Sequence, residues 1–567
     1  MAQNCGLGFR LRMDVRRDNP LIVQSDHTVL LEVDGPLYAE ARDALAPFAE
    51  LIKSPEHIHT YRITPLSIWN AAAAGLSPDK MGNALTRFAK YPVPQNVLRD
   101  IIDYAARYGR VRLVLVGERL LLESSDEAVL LEASQNVHVK KHILGEIDGG
   151  RIEVDPEMRG HIKQAMIRLG YPVEDLAGYV EGGPLDISLD ENDDFRVRRY
   201  QEEAVDAFWA GGSAKGGSGV VVLPCGAGKT IVAMAAMARI QRKTLILTTN
   251  LTAVRQWQRE LRDKCNIDPD DIGEYTGERK DIRGVTVTTY QILTYRRSKT
   301  EPFVHFELFG SNDWGLIVYD EVHLLPAPVF RFTAEIQATR RLGLTATLVR
   351  EDEKEDEVFT LIGPKRYDVP WKVLERQGFI AQASCTEVRI PLDERDRMRY
   401  AGADRRSQFR IASENPRKMD SMMRLLKRHE GELVLVIGQY LRQLEQVAGL
   451  MQAPIITGKT PNDERIELYG KFRSGEIKQL IVSKVGNFAI DLPDASVLIQ
   501  ISGTFGSRQE EAQRVGRILR PKSDGAQAHF YTLVTRDTLD QDYAQNRQLF
   551  LTEQGYSYAI VDETEVA

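Results

Sequence analysis

The apolar run Val220–Leu223 breaks into Pro224-Cys-Gly-Ala-Gly-Lys-Thr230, and a helix-like run, Ile231–Ile240, follows at once. A strand, a glycine-rich turn and a helix start in that order make a phosphate cradle. Backbone N–H groups at the helix N-terminus point at the anion, and the helix dipole favours negative charge there. Gly226 and Gly228 let the backbone approach without a Cβ clash. Lys229 can reach the outer phosphates, and the Thr230 hydroxyl can ligate Mg²⁺. Leu223 stands where the usual pattern opens with glycine, so a bare pattern match would miss it. The bland alternative is a glycine-rich turn between buried elements.

The surrounding chain favours the cradle. From Phe195 onward, short apolar runs alternate with helical stretches, which requires a parallel, doubly wound sheet. Strands are expected at Val220–Leu223, Thr244–Leu247, Val285–Thr288, Leu316–Tyr319 and Arg341–Leu344. A second alternation begins near Glu432, with strands at Leu433–Ile437, Pro454–Thr457, Gln479–Val482, Val497–Ile501 and His529–Leu533. The fold class is therefore α/β: two tandem doubly wound parallel-sheet lobes, preceded by small mixed α/β domains. Two such lobes in series suggest a nucleotide bound between them.

Leu316-Ile-Val-Tyr319 ends in Asp320-Glu-Val-His323. Carboxylates at the C-terminal end of a parallel strand sit where α/β sheets bind ligands. Asp320 would hold the Mg²⁺ of Mg-ATP, and Glu321 would orient and deprotonate the attacking water. Most Asp-Glu pairs are exposed turns; this one ends an apolar strand downstream of a phosphate loop. In the second lobe, Arg514, Arg517 and Arg520 recur every third residue and share a helix face. Arg517 and Arg520 would reach the γ-phosphate as arginine fingers, so hydrolysis would require the lobes to close. A structural salt-bridge helix is the alternative.

At 567 residues the chain has room for three or four domains. Its net charge of −7 argues against nucleic-acid binding through bulk positive charge but allows a local basic groove. Cys5, Cys225, Cys265 and Cys385 show no paired spacing, which implies neither a zinc site nor a disulfide framework and fits a reducing cytoplasm. No run has the length of a membrane span. Residues 1–20, with Arg10, Arg12, Arg16 and Arg17, read as a basic tail, with Met13 as an alternative start. Residues 21–125 form a first unit. Helices there carry Met81, Leu85 and Phe88, then Val97, Ile101 and Ala105 after Pro94, and a strand follows at Val111–Val116. That order fits a winged-helix-like module or a small packed scaffold. Residues 126–190 form a second small unit, residues 191–371 the first lobe and residues 372–567 the second. Lys140, Lys141 and His142 make a basic spot that is by default solvated.

The order of LPCGAGKT, DEVH, Thr345-Ala-Thr347 and Gln513-Arg-x-Gly-Arg-x-x-Arg520 resembles superfamily 2 helicases, with RecA-like lobes. Gly343–Asp352, which runs from Thr-Ala-Thr into Arg-Glu-Asp, resembles the XPB (xeroderma pigmentosum group B) family of DNA repair helicases, bacterial and archaeal members included. So do Ser483-Lys-Val-Gly486, Ile490-Asp-Leu-Pro493 and Arg199-Tyr-Gln201. The resemblance implies that Gln201 reads adenine, Asp491 contacts ribose and Gln513 positions the attacking water. It implies that Thr345 and Thr347 link hydrolysis to movement, and that Arg350, Glu351 and Asp352 act in strand separation. It places a damage-recognition domain at residues 126–190 and a thumb-like insertion at about 393–415. There Arg395, Arg397, Arg399, Tyr400, Arg405, Arg406, Phe409 and Arg410 mix charge with aromatics suited to phosphates and bases, unless the segment is a solvated hairpin. The activity implied is an ATP-dependent, Mg²⁺-requiring 3′→5′ DNA helicase or translocase acting at single-strand/duplex junctions in nucleotide excision repair. A cytoplasmic location and a repair nuclease as partner go with it. The alternatives are a double-strand translocase, an RNA helicase or a non-enzymatic DNA-binding scaffold.

Overall fold

The structure is a computed structural model. It describes residues 16–567 apart from 55–56, 146–147, 193–194, 225, 298–303, 306–307, 309–311, 338, 347–354, 370–373, 375–376, 378, 380–382, 484–494, 504–526, 554–557 and 567. Within some helices a few further side chains are also undescribed. The chain divides into two compact units, Met1–Tyr108 and Gly109–Ala567.

The first unit holds a four-stranded antiparallel sheet in the spatial order Leu21–Val23, Thr28–Glu32, Ile58–Arg62, Glu50–Lys53. The amphipathic helices Pro78–Phe88 and Gln95–Arg107 bury the residues that their period selects: Met81, Leu85 and Phe88, then Val97, Ile101 and Ala105. Ser77 caps the first of these helices by accepting from Lys80 N–H, with proline at its start.

The boundary expected near residue 125 lies earlier. Val111–Val116 forms a hairpin with Arg119–Ser124, and this hairpin pairs with Arg151–Val154 and Val173–Asp175 in a separate four-stranded sheet. Leu113, Leu120 and Leu122 pack with Ile152, Val154 and Ile162 in its core. The strand that would have been a wing therefore belongs to the second unit, because its apolar face is completed by strands that come much later in the chain.

That small sheet is keyed to the first lobe by the helix Arg159–Arg168, which packs against Ala327–Glu335 and Glu355–Leu361. A Cβ on Gly160 would lie 2.4 Å from the carbonyl oxygen of Ala334, so only glycine permits this approach. Beneath it, Arg159 and Lys163 both donate to Asp175, and Lys163 also donates to Gln337 of the first lobe. Burial, opposed by Asp175, pushes Lys163 down to about 8, whereas Lys163 and Arg159 outweigh burial and hold Asp175 well below the usual carboxylate range.

Each lobe is a seven-stranded, RecA-like sheet, and all its pairings are parallel. The first has the order Ile272–Tyr275, Val285–Thr289, Thr244–Thr248, Leu316–Asp320, Arg340–Thr345, Ser218–Val222, Lys365–Asp368. The second has the order Ile455–Ile456, Gln479–Ser483, Val434–Gly438, Val497–Gln500, Ala528–Thr535, Ala383–Ile390, Tyr558–Asp562. The central strands are buried throughout, except at Asp320, the half-buried last residue of Leu316–Asp320, as two-sided helical cover demands. All ten lobe strands expected from the apolar runs are present.

Residues 393–415 contain two short helices, Glu394–Ala401 and Arg405–Ser413. Phe409 is buried edge-on to Tyr543, and the Tyr400 hydroxyl accepts from Leu539 N–H. Both aromatics tie the hairpin to its lobe; Phe409 is core and not presented to bases, which corrects that part of the sequence expectation, whereas the Tyr400 ring is half-buried. The arginines Arg395, Arg397, Arg405 and Arg406 are exposed.

Candidate nucleotide site

The strand Ser218–Val222 delivers the chain into the loop, and the helix Lys229–Ile240 takes it away. Leu223, in the place of the usual first glycine, is fully buried, and its N–H donates to Thr345 O at 3.0 Å. The loop thus starts from a core position tied to the Thr-Ala-Thr segment. Gly226 and Gly228 both have positive φ, 81° and 77°. Gly228 has a second constraint, since a Cβ there would lie 2.5 Å from Gln201 Nε2.

Gln201 and Tyr200 brace this loop from the helix Arg199–Trp209. The Tyr200 hydroxyl donates to Ala227 O at 2.7 Å and Gln201 Nε2 donates to the same carbonyl at 3.0 Å. Gln201 Oε1 accepts from Arg198 N–H at 2.9 Å, so both ends of its amide are engaged and the residue is 3% exposed. Phe379, between the two sheets, packs on the Tyr200 ring at 5.3 Å and under the Arg198 guanidinium at 4.8 Å.

Lys229 leaves the first turn of the helix and lies 3.7 Å from Glu321 Oε1. Thr230 follows it in the same turn. Glu321 has a left-handed backbone, with φ 51° and ψ 54°. A non-glycine residue held there stores roughly 1–3 kcal/mol, and such strain gathers at functional sites. Asp320 ends the strand Leu316–Asp320 beside it. Burial, together with the adjacent Glu321 charge, pushes Asp320 up to about 6, against the opposing pull of the Trp257 hydrogen bond and of Lys229.

His323 joins this pair to the coupling segment. Its Nδ1 is 2.6 Å from Thr345 Oγ1 and 3.5 Å from Glu321 Oε2, and both His323 and Thr345 are buried. Lys229, Glu321, His323 and Thr345 thus form one connected set. Gly226, Gly228, Lys229, Thr230, Asp320, Glu321, Gln201 and Thr345 are all placed around this loop. Thr347, Arg350, Glu351, Asp352, Asp491, Gln513, Arg517 and Arg520 lie outside the described residues.

Three participants went unassigned in the sequence. His323 was visible in the Asp-Glu-Val-His run but carried no role. Trp257 donates its indole N–H to Asp320 Oδ2 at 2.9 Å, and the Tyr290 hydroxyl donates to Asp320 O at 2.8 Å. No local pattern marks either residue.

The arrangement offers backbone donors, an ammonium group and two carboxylates around one glycine loop, a donor set suited to a nucleoside triphosphate with a divalent cation. Among the described residues, no helix is long and apolar enough to cross a membrane.

Three families match the chain in sequence: "ERCC3/RAD25/XPB C-terminal helicase" over residues 374–567, "Type III restriction enzyme, res subunit" over 194–350, and "Helicase conserved C-terminal domain" over 21–148. The DNA 3′-5′ helicase XPB of Mycobacterium tuberculosis is 54% identical over 550 residues, covering 97% of this chain and 99% of that protein. The protein of the same name from Kineococcus radiotolerans is also 54% identical, over 97% of each chain. The XPB/SSL2 helicase/translocase subunit of general transcription and DNA repair factor IIH from Saccharomyces cerevisiae is 32% identical, covering 98% of this chain and 73% of its own.

Proposed function

The chain belongs to the XPB family of DNA helicases, and from that premise we propose that it is a 3′→5′ DNA helicase that uses ATP to separate strands during nucleotide excision repair. The observation that carries the reading is the connected set at the loop: Lys229 beside Glu321 at 3.7 Å, and His323 between Glu321 and Thr345. Phosphates seat on the loop N–H groups, with Lys229 on the outer oxygens. Glu321 takes the proton of the attacking water, and His323 passes the change in Glu321's surroundings to Thr345. Thr230 and Asp320 would hold Mg²⁺, which supplies charge neutralisation at the outer phosphates.

Other roles extend this reading. Gln513 positions the water, Arg517 and Arg520 act as fingers from the second lobe, and Asp491 contacts ribose. Thr347 shares the coupling task of Thr345. Arg350, Glu351 and Asp352 act at the fork. Gln201 braces the loop through Ala227 O and Arg198 N–H, so adenine recognition by this residue would require its buried amide to be uncovered or to share these bonds. The substrate is a single-strand/duplex junction, and the protein is cytoplasmic and works with a repair nuclease. The small domain beginning near Val111 serves damage recognition, and the exposed arginines of residues 393–415 grip phosphates.

Lys229→Ala and Glu321→Gln should each abolish DNA-stimulated ATP hydrolysis. The direct test is unwinding of forked DNA bearing a 3′ or a 5′ tail. Activity confined to the 3′ tail supports the proposal; stimulation by RNA alone, or full turnover in either variant, defeats it.

A further inference from the structure

We propose that Trp257 and Tyr290 are positioning residues for Asp320, and that together they set how strongly a divalent cation is held with the nucleotide. This rests on the reading of Asp320 as a metal ligand. Three neighbouring strands supply the parts. Thr244–Thr248 lies between Val285–Thr289 and Leu316–Asp320, with Leu247 level with both Thr288 and Tyr319. The helix Leu251–Lys264 leaves the middle strand, and Trp257, on its inner face, reaches Asp320 Oδ2 at 2.9 Å. The short helix Tyr290–Leu293 leaves the strand Val285–Thr289, and the Tyr290 hydroxyl reaches the Asp320 carbonyl at 2.8 Å. Asp320 is thus held at its side chain by one neighbour and at its backbone by the other.

Trp257 and Tyr290 are 2% and 3% exposed, so neither polar group has water as a ready partner. A buried indole N–H needs an acceptor, and ordinary core packing supplies a backbone carbonyl as readily as a carboxylate. Here the acceptor is the carboxylate that ends a strand at the ligand edge of the sheet. With Oδ2 fixed by a rigid donor, the plane of the carboxylate is fixed as well. Partners of this kind, one bond removed from a metal, typically carry about 10–100-fold in metal affinity.

The test uses the full-length protein and a ribose-labelled fluorescent ADP, read by anisotropy without turnover. Binding is measured in EDTA and across a Mg²⁺ titration. Trp257→Phe keeps an aromatic ring and removes the donor. It should raise the Mg²⁺ concentration for half-maximal tightening about tenfold while leaving the EDTA affinity within about twofold. Tyr290→Phe should raise the same requirement by about threefold, since it releases only the backbone carbonyl. If Trp257→Phe does not yield folded protein, Tyr290→Phe decides. An unchanged Mg²⁺ requirement overturns the proposal, as does an equal loss of affinity with and without Mg²⁺, which would mark plain packing. Asp320→Asn separates the two readings. If it keeps the parent's Mg²⁺ dependence, the assignment of Asp320 falls and this proposal with it. If it loses that dependence while Trp257→Phe and Tyr290→Phe keep it, only the positioning role fails.

Discussion

Replacing Asp175 with asparagine tests whether the helix Arg159–Arg168, which packs the small sheet against the first lobe, is held in place by charge. Asp175 receives Arg159 through Nε and Nη2, at 2.9 and 2.6 Å, and Lys163 Nζ at 2.9 Å. The three side chains are 9%, 7% and 6% exposed, so this is an interior pair of cations around one anion. The asparagine side chain would have nearly the same shape but no charge. Breaking a buried ion pair from one side costs about 3–5 kcal/mol, because the remaining charge is stranded. At about 1.36 kcal/mol per tenfold, local opening of the helix Arg159–Arg168 becomes roughly a hundred to a few thousand times more frequent. Hydrogen–deuterium exchange of peptides spanning that helix reads this directly. The pH dependence adds a second check. An unfolded lysine keeps its proton to about 10.5, whereas burial lets Lys163 release it near 8. Between those values the unfolded chain binds more protons, so the stability that Lys163 allows rises with pH. Without Asp175 its folded pKa falls further. Above pH 8 parent and variant both hold Lys163 neutral, so the defect should be smaller at pH 9 than at pH 7, with Arg159 accounting for what remains. Exchange within about threefold of the parent at pH 7, or a defect of the same size at both pH values, would refute the charge lock.

Gly228→Ala would drive a methyl group to 2.5 Å from Gln201 Nε2 at a positive φ, so fluorescent-ADP affinity should fall about tenfold or more; parental affinity would mean the loop does not hold the nucleotide. His323→Ala cuts the link between Glu321 and Thr345, so unwinding should drop at least about tenfold while DNA-stimulated ATPase stays within about threefold, and equal losses would assign His323 to chemistry rather than coupling. Phe409→Ala should destabilise the second lobe by about 3–5 kcal/mol in thermal unfolding, because the ring is core. Arg405→Ala and Arg406→Ala should leave stability within about 0.5 kcal/mol and each reduce the salt slope of DNA binding by about one; unchanged slopes would remove this hairpin from the DNA interface.

The lobes were legible in the sequence because a buried parallel strand announces itself as an apolar run, and all ten such runs proved to be strands. Two edge strands lack an apolar run: Lys365–Asp368 is only half-buried, and Ile272–Tyr275 is mostly buried but carries Gly273 and Glu274. The strand Val111–Val116 is legible from its apolar residues but its sheet is not, since Arg119–Ser124 pairs with it and with Arg151–Val154, and Val173–Asp175 is distant in sequence. The glycine loop, Asp320 and Glu321 stood out in the sequence because each lies at the end of its own strand, and the fold brings Lys229 to 3.7 Å from Glu321. Trp257 is of the other kind. Its helix follows one strand and its acceptor ends the neighbouring one, 63 residues away, so its bond to Asp320 exists only once Thr244–Thr248 and Leu316–Asp320 pair in register. Phe409 shows the converse error: aromatic residues among arginines suggest base stacking until burial against Tyr543 commits the ring to the core. Residue type near a motif therefore nominates candidate reacting groups, whereas the groups that contact them are fixed by strand order. For a chain of this architecture, partners that position a candidate catalytic carboxylate should be sought on the helices that leave the neighbouring strands.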